Sequence, residues 1–355
     1  MQQRLAKLRE KMEKQGLEAI LITSSYNRRY LSGFTGTAGY LLITEDHAQL
    51  ITDFRYIDQA ALQATGFEIV RHEANILDEV ANQLKKFKLT KVGFEKQVVT
   101  YSLYEGLKKS AADVEWIGIA GWIEEIRMIK TADEISIIKQ ACQIADNTFE
   151  HILKYIKPGI TEREVSLELE FHMRKQGADS SSFDIIVASG ARSALPHGVA
   201  SDKVIENGDF VTLDFGAYYK GYVSDITRTI AVGEPSDKLK EIYQIVLDAQ
   251  MAGVKGIKSG LTAKEADALT RDVISNAGYG EYFGHSTGHG IGLEVHEGPG
   301  LSSRSDLVLQ PGMVVTVEPG IYISKLGGVR IEDDVVITDS GCEILTQSPK
   351  ELIIL

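Results

Sequence analysis

Short apolar runs alternate with amphipathic stretches through the first third of the chain. Leu5, Leu8 and Met12 recur at helical spacing, and Gly16 follows them as a predicted C-cap. Apolar runs predict four short buried strands, at residues 19–22, 40–43, 49–51 and 91–94. Three further helices are predicted at residues 54–65, 76–87 and 101–110. This order of elements is typical of a small α/β domain.

A glycine-rich segment at residues 33–39 interrupts this pattern. Its glycines lack the spacing of a dinucleotide-binding fingerprint, and it opens no obvious helix, so we interpret it as a loop. A domain boundary is predicted near residues 121–131, after which Thr131 and the acids that follow it form a helix start. We therefore expect one domain over residues 1–124 and a second over residues 125–355.

The second domain contains an internal repeat of a helix. Residues 156–161 and residues 257–262 have related sequences, and each segment opens a predicted helix. The two helices have the same predicted length, because they end before Gly177 and Gly278 respectively. With only two long copies, the repeat is not a solenoid.

The repeat continues into acidic residues that end apolar strand patterns. The strand that ends at Asp214 aligns with the strand that ends at Glu318, and a second acid follows each, Asp225 and Glu332. Chance similarity could explain the helix starts, but it hardly explains acids at matching strand ends. A pseudo-twofold axis between the two halves would bring the four carboxylates together.

Composition narrows the classes of function. The chain has 355 residues, of which 43% are hydrophobic, which favours a large core and two domains over one. The net charge of -12 disfavours binding to nucleic acid or to an anionic membrane. Two distant cysteines without a C-x-x-C pair disfavour thiolate zinc and a disulfide framework. No membrane-spanning run or signal-peptide core is evident, so we expect a cytoplasmic protein.

The four acids and one histidine predict a metal site. A carboxylate at the end of a buried strand costs several kcal/mol to desolvate unless a positive charge is close. Asp214 and Asp225 alone would more often be a structural hydrogen-bonding pair, but Glu318 and Glu332 mirror them. His289 lies among glycines, which would let backbone and substrate approach closely. This donor set suits manganese, cobalt, iron or zinc, and two such ions sharing a water form a hydrolytic centre.

Arg330 precedes Glu332 by two residues, so on a strand both side chains would face the same way. Arg330 could orient a ligand carboxylate or bind a substrate carboxylate. A surface ion pair is the alternative.

These motifs resemble the pita-bread metallopeptidase family, which includes methionine aminopeptidase, aminopeptidase P and prolidase. The resemblance covers roughly residues 132–355 and rests on five segments, 213–216, 224–229, 288–292, 318–320 and 330–333. Residues 30–36 and 52–56 resemble the creatinase-type N-terminal domain, which methionine aminopeptidases lack. The resemblance implies an α/β (α+β) protein, with a creatinase-type domain before a pita-bread catalytic domain.

The resemblance also implies the roles of the metal ligands. Asp225 and Glu332 would bridge two ions, Asp214 would complete one ion, and His289 with Glu318 would complete the other. Glu318 would in addition take the proton of the bridging water.

Three further histidines match positions that contact the substrate in this family. His296 would hydrogen-bond the scissile amide and stabilise the oxyanion of the tetrahedral intermediate. His197 and His285 would contact the substrate, and Arg330 would act beside the ligands.

The whole chain is most similar to short Xaa-Pro dipeptidases (prolidases), so the expected function is dinuclear metal-dependent hydrolysis of Xaa-Pro bonds. Manganese is the expected metal and a homodimer the expected assembly. Aminopeptidase P, which acts on longer Xaa-Pro peptides, is the alternative within the peptidases. A creatinase-like amidinohydrolase and a non-catalytic peptide-binding module are less favoured, because both lose metal ligands that are all present here.

Overall fold

The computed structural model describes residues 2–355, which form two compact units that meet in sequence between Arg127 and Met128. The helices of the first part are α1 (Gln2–Gln15), α2 (Ser25–Ser32), α3 (Ile57–Gln63), α4 (Ile76–Lys86), α5 (Tyr101–Ser110) and α6 (Trp122–Met128). Its strands are β1 (Ala19–Ile22), β2 (Tyr40–Thr44), β3 (Ala48–Thr52), β4 (Glu68–Arg71), β5 (Lys91–Glu95) and β6 (Glu115–Ile119).

The six strands of the first unit form one mixed sheet in the order β4-β3-β2-β1-β5-β6. The four predicted strands are confirmed as β1, β2, β3 and β5, and residues 33–39 form a loop as expected. The helix predicted at residues 54–65 is instead a 3₁₀ turn, Phe54–Tyr56, followed by α3. The elements α2, β4 and β6 were not predicted, because each is short and β4 is half-exposed on both faces.

The second unit has four helices and many short strands. The helices are α7 (Ala132–Ile152), α8 (Glu162–Lys175), α9 (Asp237–Gly256) and α10 (Ala263–Asn276). The strands of its first half are β7 (Ser180–Ser181), β8 (Ile186–Ser189), β9 (Asp209–Phe215), β10 (Ala217–Tyr219), β11 (Tyr222–Val223) and β12 (Ile226–Val232). Those of its second half are β13 (Gly288–Gly290), β14 (Glu297–Leu301), β15 (Val314–Val317), β16 (Gly320–Ile323), β17 (Gly327–Arg330), β18 (Asp333–Ile337) and β19 (Cys342–Ile344).

The predicted internal repeat is confirmed in the helices of this unit. Helices α8 and α10 both have 14 residues, and both begin with a capping box. In α8 the hydroxyl of Thr161 accepts from the backbone N–H of Glu164, whose side chain accepts in return. Thr262 and Glu265 form the same box at the start of α10.

The strands repeat as well. The run β9-β10-β11-β12 corresponds to the run β15-β16-β17-β18, and in each run the outer two strands pair antiparallel. The three-stranded sheet β12-β9-β8 packs with α7 and α8, while α9 and α10 pack on the β15–β18 pair of the five-stranded sheet β14-β13-β15-β18-β19. The ends of the two outer strand pairs therefore become equivalent places in the two halves.

Within residues 2–355, none of the helices combines the length and the apolar character that crossing a bilayer requires.

Candidate metal centre

The four acids predicted as ligands lie at equivalent strand ends of the two halves. Asp214 is the next-to-last residue of β9, and Asp225 immediately precedes β12, which pairs with β9 so that Thr227 lies opposite Asp214. In the second half, Glu318 immediately follows β15 and Glu332 immediately precedes β18. The segment between Asp214 and Asp225 contains the paired strands β10 and β11.

These acids are buried without sufficient positive charge. Asp214, Asp225 and Glu332 are 7%, 5% and 2% exposed. Burial raises the pKa of Asp225 and of Glu332 well above their ordinary values, and the neighbouring carboxylates raise both further. Burial also raises the pKa of Glu318. The Oδ1 atoms of Asp214 and Asp225 are buried and have no hydrogen-bond partner, so the protein itself leaves these oxygens unsatisfied.

His289 faces the carboxylates through a ring nitrogen that is free to bind a cation. Its Nδ1 lies 3.2 Å from the carbonyl oxygen of Gly290, which can only accept, so Nδ1 carries the proton. Burial lowers the pKa of His289, which favours the neutral ring. The lone pair of Nε2 then points towards Glu318 Oε1 at 3.3 Å and Asp225 Oδ2 at 3.8 Å. Acceptors that face one another in this way need a cation between them.

The donor atoms also converge closely enough for one ion. One ligand atom each from Asp225, His289 and Glu332 lie within 4.8 Å of one another. Carboxylate oxygens with one imidazole nitrogen are the donor set of divalent metals such as manganese, cobalt or zinc. The residues present therefore fit a divalent metal site.

The glycines that flank His289 are required by the neighbouring strands. A Cβ atom on Gly288 would lie 2.0 Å from the carbonyl oxygen of Thr316, and one on Gly290 would lie 2.2 Å from that of Gly298. The close approach of backbone expected here is therefore made by β15 and β14, which pair with the strand of His289 on either side.

Arg330 connects the metal ligands with the surrounding loops. Its guanidinium donates to the Asp214 carboxylate, to Thr227 Oγ1 at 3.0 Å, to the Pro196 carbonyl at 3.2 Å and to the Tyr322 hydroxyl at 2.8 Å. Arg330 is 3% exposed, so it does not form a surface ion pair.

Arg330 and Glu332 were predicted to share one strand and to face the same way. This is wrong, because Arg330 ends β17 and Glu332 lies between β17 and β18. Both side chains nevertheless line the same cavity.

All nine residues predicted for the site line one cavity of about 530 Å³. They are Asp214, Asp225, His289, Glu318, Glu332, His296, His197, His285 and Arg330. His197 and His296 are exposed to the cavity, and the ring centroids of His296 and His289 are 4.3 Å apart. Burial and the charges of neighbouring histidines lower the pKa of His296, so the ring is neutral at neutral pH.

His285 has both ring nitrogens engaged. Nδ1 lies 2.8 Å from the carbonyl oxygen of Ser286, and Nε2 lies 2.9 Å from the hydroxyl of Tyr322. Since the carbonyl can only accept, Nδ1 donates and Nε2 accepts the Tyr322 proton. A polar contact of His285 with a substrate would have to replace one of these bonds, so its contact with substrate stays a prediction.

Sequence reasoning missed three residues that support the ligands. Thr227 Oγ1 donates to Glu332 Oε2 at 2.6 Å, Thr316 Oγ1 donates to Glu318 Oε1 at 3.1 Å, and Tyr322 joins Arg330 to His285. The two threonines carried a usable signal, since each lies two positions from an acid, and Thr316 is the one polar residue of β15. Tyr322 carried none, because its contacts come from distant segments of the chain.

Comparison with known proteins agrees with this centre. The sequence profile of metallopeptidase family M24 matches residues 136–339, and that of the creatinase/prolidase N-terminal domain matches residues 4–129. The chain therefore belongs to metallopeptidase family M24, and it is a metal-dependent peptidase whose site takes divalent ions.

Three members of that family are similar to this chain along nearly its whole length. The solved structure of a Xaa-Pro dipeptidase from Bacillus anthracis is 65% identical, with a TM-score of 0.98 over 100% of this chain and 99% of that chain. A Xaa-Pro dipeptidase of Pyrococcus horikoshii is 46% identical over 99% of both chains. The crystal structure of an X-Pro aminopeptidase from Thermotoga maritima is 44% identical, with a TM-score of 0.92 over 97% of this chain and 100% of that chain.

Proposed function

We propose that this protein is a Xaa-Pro dipeptidase that uses two divalent metal ions. The observation that carries the proposal is the convergence of three buried acids, the partly buried Glu318 and the Nε2 atom of His289 on one cavity. The chain also matches proteins named Xaa-Pro dipeptidase along almost its whole length. Apolar side chains also line the cavity, and they suit an uncharged proline ring; they are Phe183, Ile186, Val199 and Val295.

We assign the ligand roles as the family resemblance implies. Asp225 and Glu332 would be shared by the two ions, Asp214 would complete the ligands of one, and His289 with Glu318 would complete those of the other. The unsatisfied Oδ1 atoms of Asp214 and Asp225 support this assignment, since they are the acceptors that lack a partner within the protein. Ions held here would act as Lewis acids and lower the pKa of a water molecule that they share.

The remaining groups move protons and stabilise charge. Glu318 has a raised pKa, so its carboxylate is a competent acceptor for the proton of the attacking water. The neutral ring of His296 can donate one N–H to the carbonyl oxygen of the scissile bond as negative charge develops there. His197, which is exposed and lines the same cavity, is available to contact the substrate.

Arg330 positions ligands and does not bind the substrate carboxylate in this proposal. Its donors are directed to Asp214, Thr227, the Pro196 carbonyl and Tyr322. Through Pro196 it also holds the loop of His197. A fixed Asp214 carboxylate is the expected consequence.

Aminopeptidase P activity is the second candidate, and the likeness to the Thermotoga maritima X-Pro aminopeptidase favours it. Both activities need the same metal centre, so peptide length decides between them. The test compares Xaa-Pro dipeptides with Xaa-Pro-Yaa tripeptides, each with added manganese or cobalt. Efficient cleavage of the dipeptides supports the proposal, whereas cleavage of the tripeptides alone replaces it with aminopeptidase P.

We further propose manganese as the native metal, a homodimer as the assembly and the cytoplasm as the compartment. The oxygen-rich donor set supports manganese. Cys142 and Cys342 are free thiols, which supports a reducing compartment. The homodimer rests on the family resemblance. Metal analysis of the purified protein, cell fractionation and light scattering in solution test the three assignments.

A further inference from the structure

The backbones of the two acids proposed as bridging ligands are held by a reciprocal pair of hydrogen bonds. The N–H of Glu332 donates to the carbonyl oxygen of Thr227 at 3.1 Å, and the N–H of Asp225 donates to Oδ2 of Asp334 at 2.8 Å. Thr227 and Asp334 each lie two residues beyond one of the acids, so each half of the repeat holds the acid of the other half.

The two hydrogen bonds have different kinds of acceptor. Glu332 is held by a main-chain carbonyl, which no substitution of a side chain removes. Asp225 is held by a side-chain carboxylate, so this hydrogen bond depends on the identity of residue 334. Of the two hydrogen bonds, only the one that holds Asp225 can be removed by substituting a side chain.

Burial of the Asp334 side chain costs desolvation free energy that its hydrogen bonds only partly offset. The residue is 0% exposed, and its Oδ1 atom has no hydrogen-bond partner. Besides the Asp225 N–H, Oδ2 accepts the thiol of Cys142, on α7, at 3.3 Å. The adjacent Asp333, in contrast, is bonded to Arg228, Gln250, Lys350 and Thr346 and needs no further explanation.

We propose that Asp334 is a positioning residue for the metal ligand Asp225, and that the Cys142 thiol holds Asp334 in place. By fixing the N–H of Asp225, Asp334 fixes the backbone from which that carboxylate reaches the metal site. This inference rests on the proposed role of Asp225 as a metal ligand. Partners of this kind in other metal sites typically change metal affinity by about 10- to 100-fold when they are removed.

The same unit offers a matched control for a purely structural role. Asp146 is also a largely buried acid that accepts backbone N–H groups, those of Gln347 and Ser348, each at 2.8 Å. It lies outside the lining of the metal cavity. Removing Asp146 therefore removes a buried charge and its hydrogen bonds without releasing a metal ligand.

The test measures manganese affinity directly, by calorimetric titration of the metal-free full-length protein, together with thermal unfolding. Asp334→Ala should weaken the tighter-binding manganese site about 10- to 100-fold. Asp334→Asn should stay within a few-fold of the unsubstituted protein, because its amide oxygen can accept the same two hydrogen bonds. Asp146→Ala should lower the unfolding temperature and leave manganese affinity unchanged.

Unchanged affinity in Asp334→Ala overturns the inference, and so does an equal loss in Asp334→Asn, which would assign the effect to charge alone. If Asp334→Ala does not fold, two substitutions of Cys142 test the inference instead. Cys142→Ala should then weaken binding by a few-fold while Cys142→Ser retains it, and equal behaviour of the two overturns the inference. Failure of the unsubstituted protein to bind manganese would instead refute the proposed function.

Discussion

Asp225 shows at the scale of one residue why the site needs a metal. The residue is 5% exposed, and repulsion from Glu332 and then Asp214 adds most to the effect of burial in raising its pKa. Without an ion the ionised form of Asp225 is therefore unfavourable, and removing its charge relieves strain in the metal-free protein. Metal binding requires the charge of this residue, whereas the stability of the metal-free protein is lowered by it.

The change Asp225→Asn separates these demands. We expect peptidase activity to fall by roughly 10³-fold or more, beyond the loss typical of one oxyanion donor, because a proposed bridging ligand is lost. We expect the metal-free variant to unfold at the same temperature as the unsubstituted protein or higher, since repulsion with Glu332 and Asp214 is removed. Thermal unfolding in a chelator at pH 8 measures this, and a clear decrease in unfolding temperature would contradict the account.

At the scale of secondary-structure elements, the helices of the repeat could be predicted and several strands could not. The starts of α8 and α10 are local signals, because a capping box involves four consecutive residues. Strands β4 and β6 at the edges of the first sheet have four or five residues each, and pairing with a neighbour defines them.

The same distinction applies within the site. The acids proposed as ligands could be found from the sequence because they stood at matching strand ends. The bond of Asp225 to Asp334 could not, since it depends on how β18 packs against the first half. The bond of Arg330 to Tyr322 could not either, since it depends on the pairing of β16 with β17. The sequence also did not show that β17 ends at Arg330, before Glu332.

The two capping boxes should contribute equally, as expected for repeated elements. Thr161→Ala and Thr262→Ala each remove a hydroxyl that accepts a backbone N–H, at 3.2 Å and 3.1 Å. We expect each change to lower the free energy of unfolding by about 1 kcal/mol and to leave activity with saturating metal unchanged. Urea unfolding followed by circular dichroism checks the first point, and a large loss of activity in either variant would show that the caps also shape the site.

At the scale of the whole molecule, the metal-free protein should lose stability as pH rises. The pKa values of Asp225, Glu318 and Glu332 are raised in the folded state from ordinary values of 3.8 and 4.5. A raised pKa means that the folded state binds more protons, so its stabilising effect is lost as pH rises through the folded value. The buried His285 and His289 act in the opposite direction, but only below their ordinary value of 6.5.

The unfolding temperature of the metal-free protein should therefore decrease as the pH rises above about 6.5, where the histidines no longer oppose the effect of the acids. With manganese bound the decrease should disappear, since the ions bind the deprotonated carboxylates. Thermal scans across this range, with chelator or with manganese, compare the two states. An unfolding temperature of the metal-free protein that rises across this range would contradict the assignment of raised pKa values.

The proposed Xaa-Pro dipeptidase activity depends on two metal ions that the two halves of the repeat hold together. Its most direct test strips the metal with a chelator, titrates manganese back and follows ions bound per chain together with hydrolysis of a Xaa-Pro dipeptide. We predict no hydrolysis without metal and full activity as the second ion binds. Near-normal hydrolysis in the stripped protein would contradict the account.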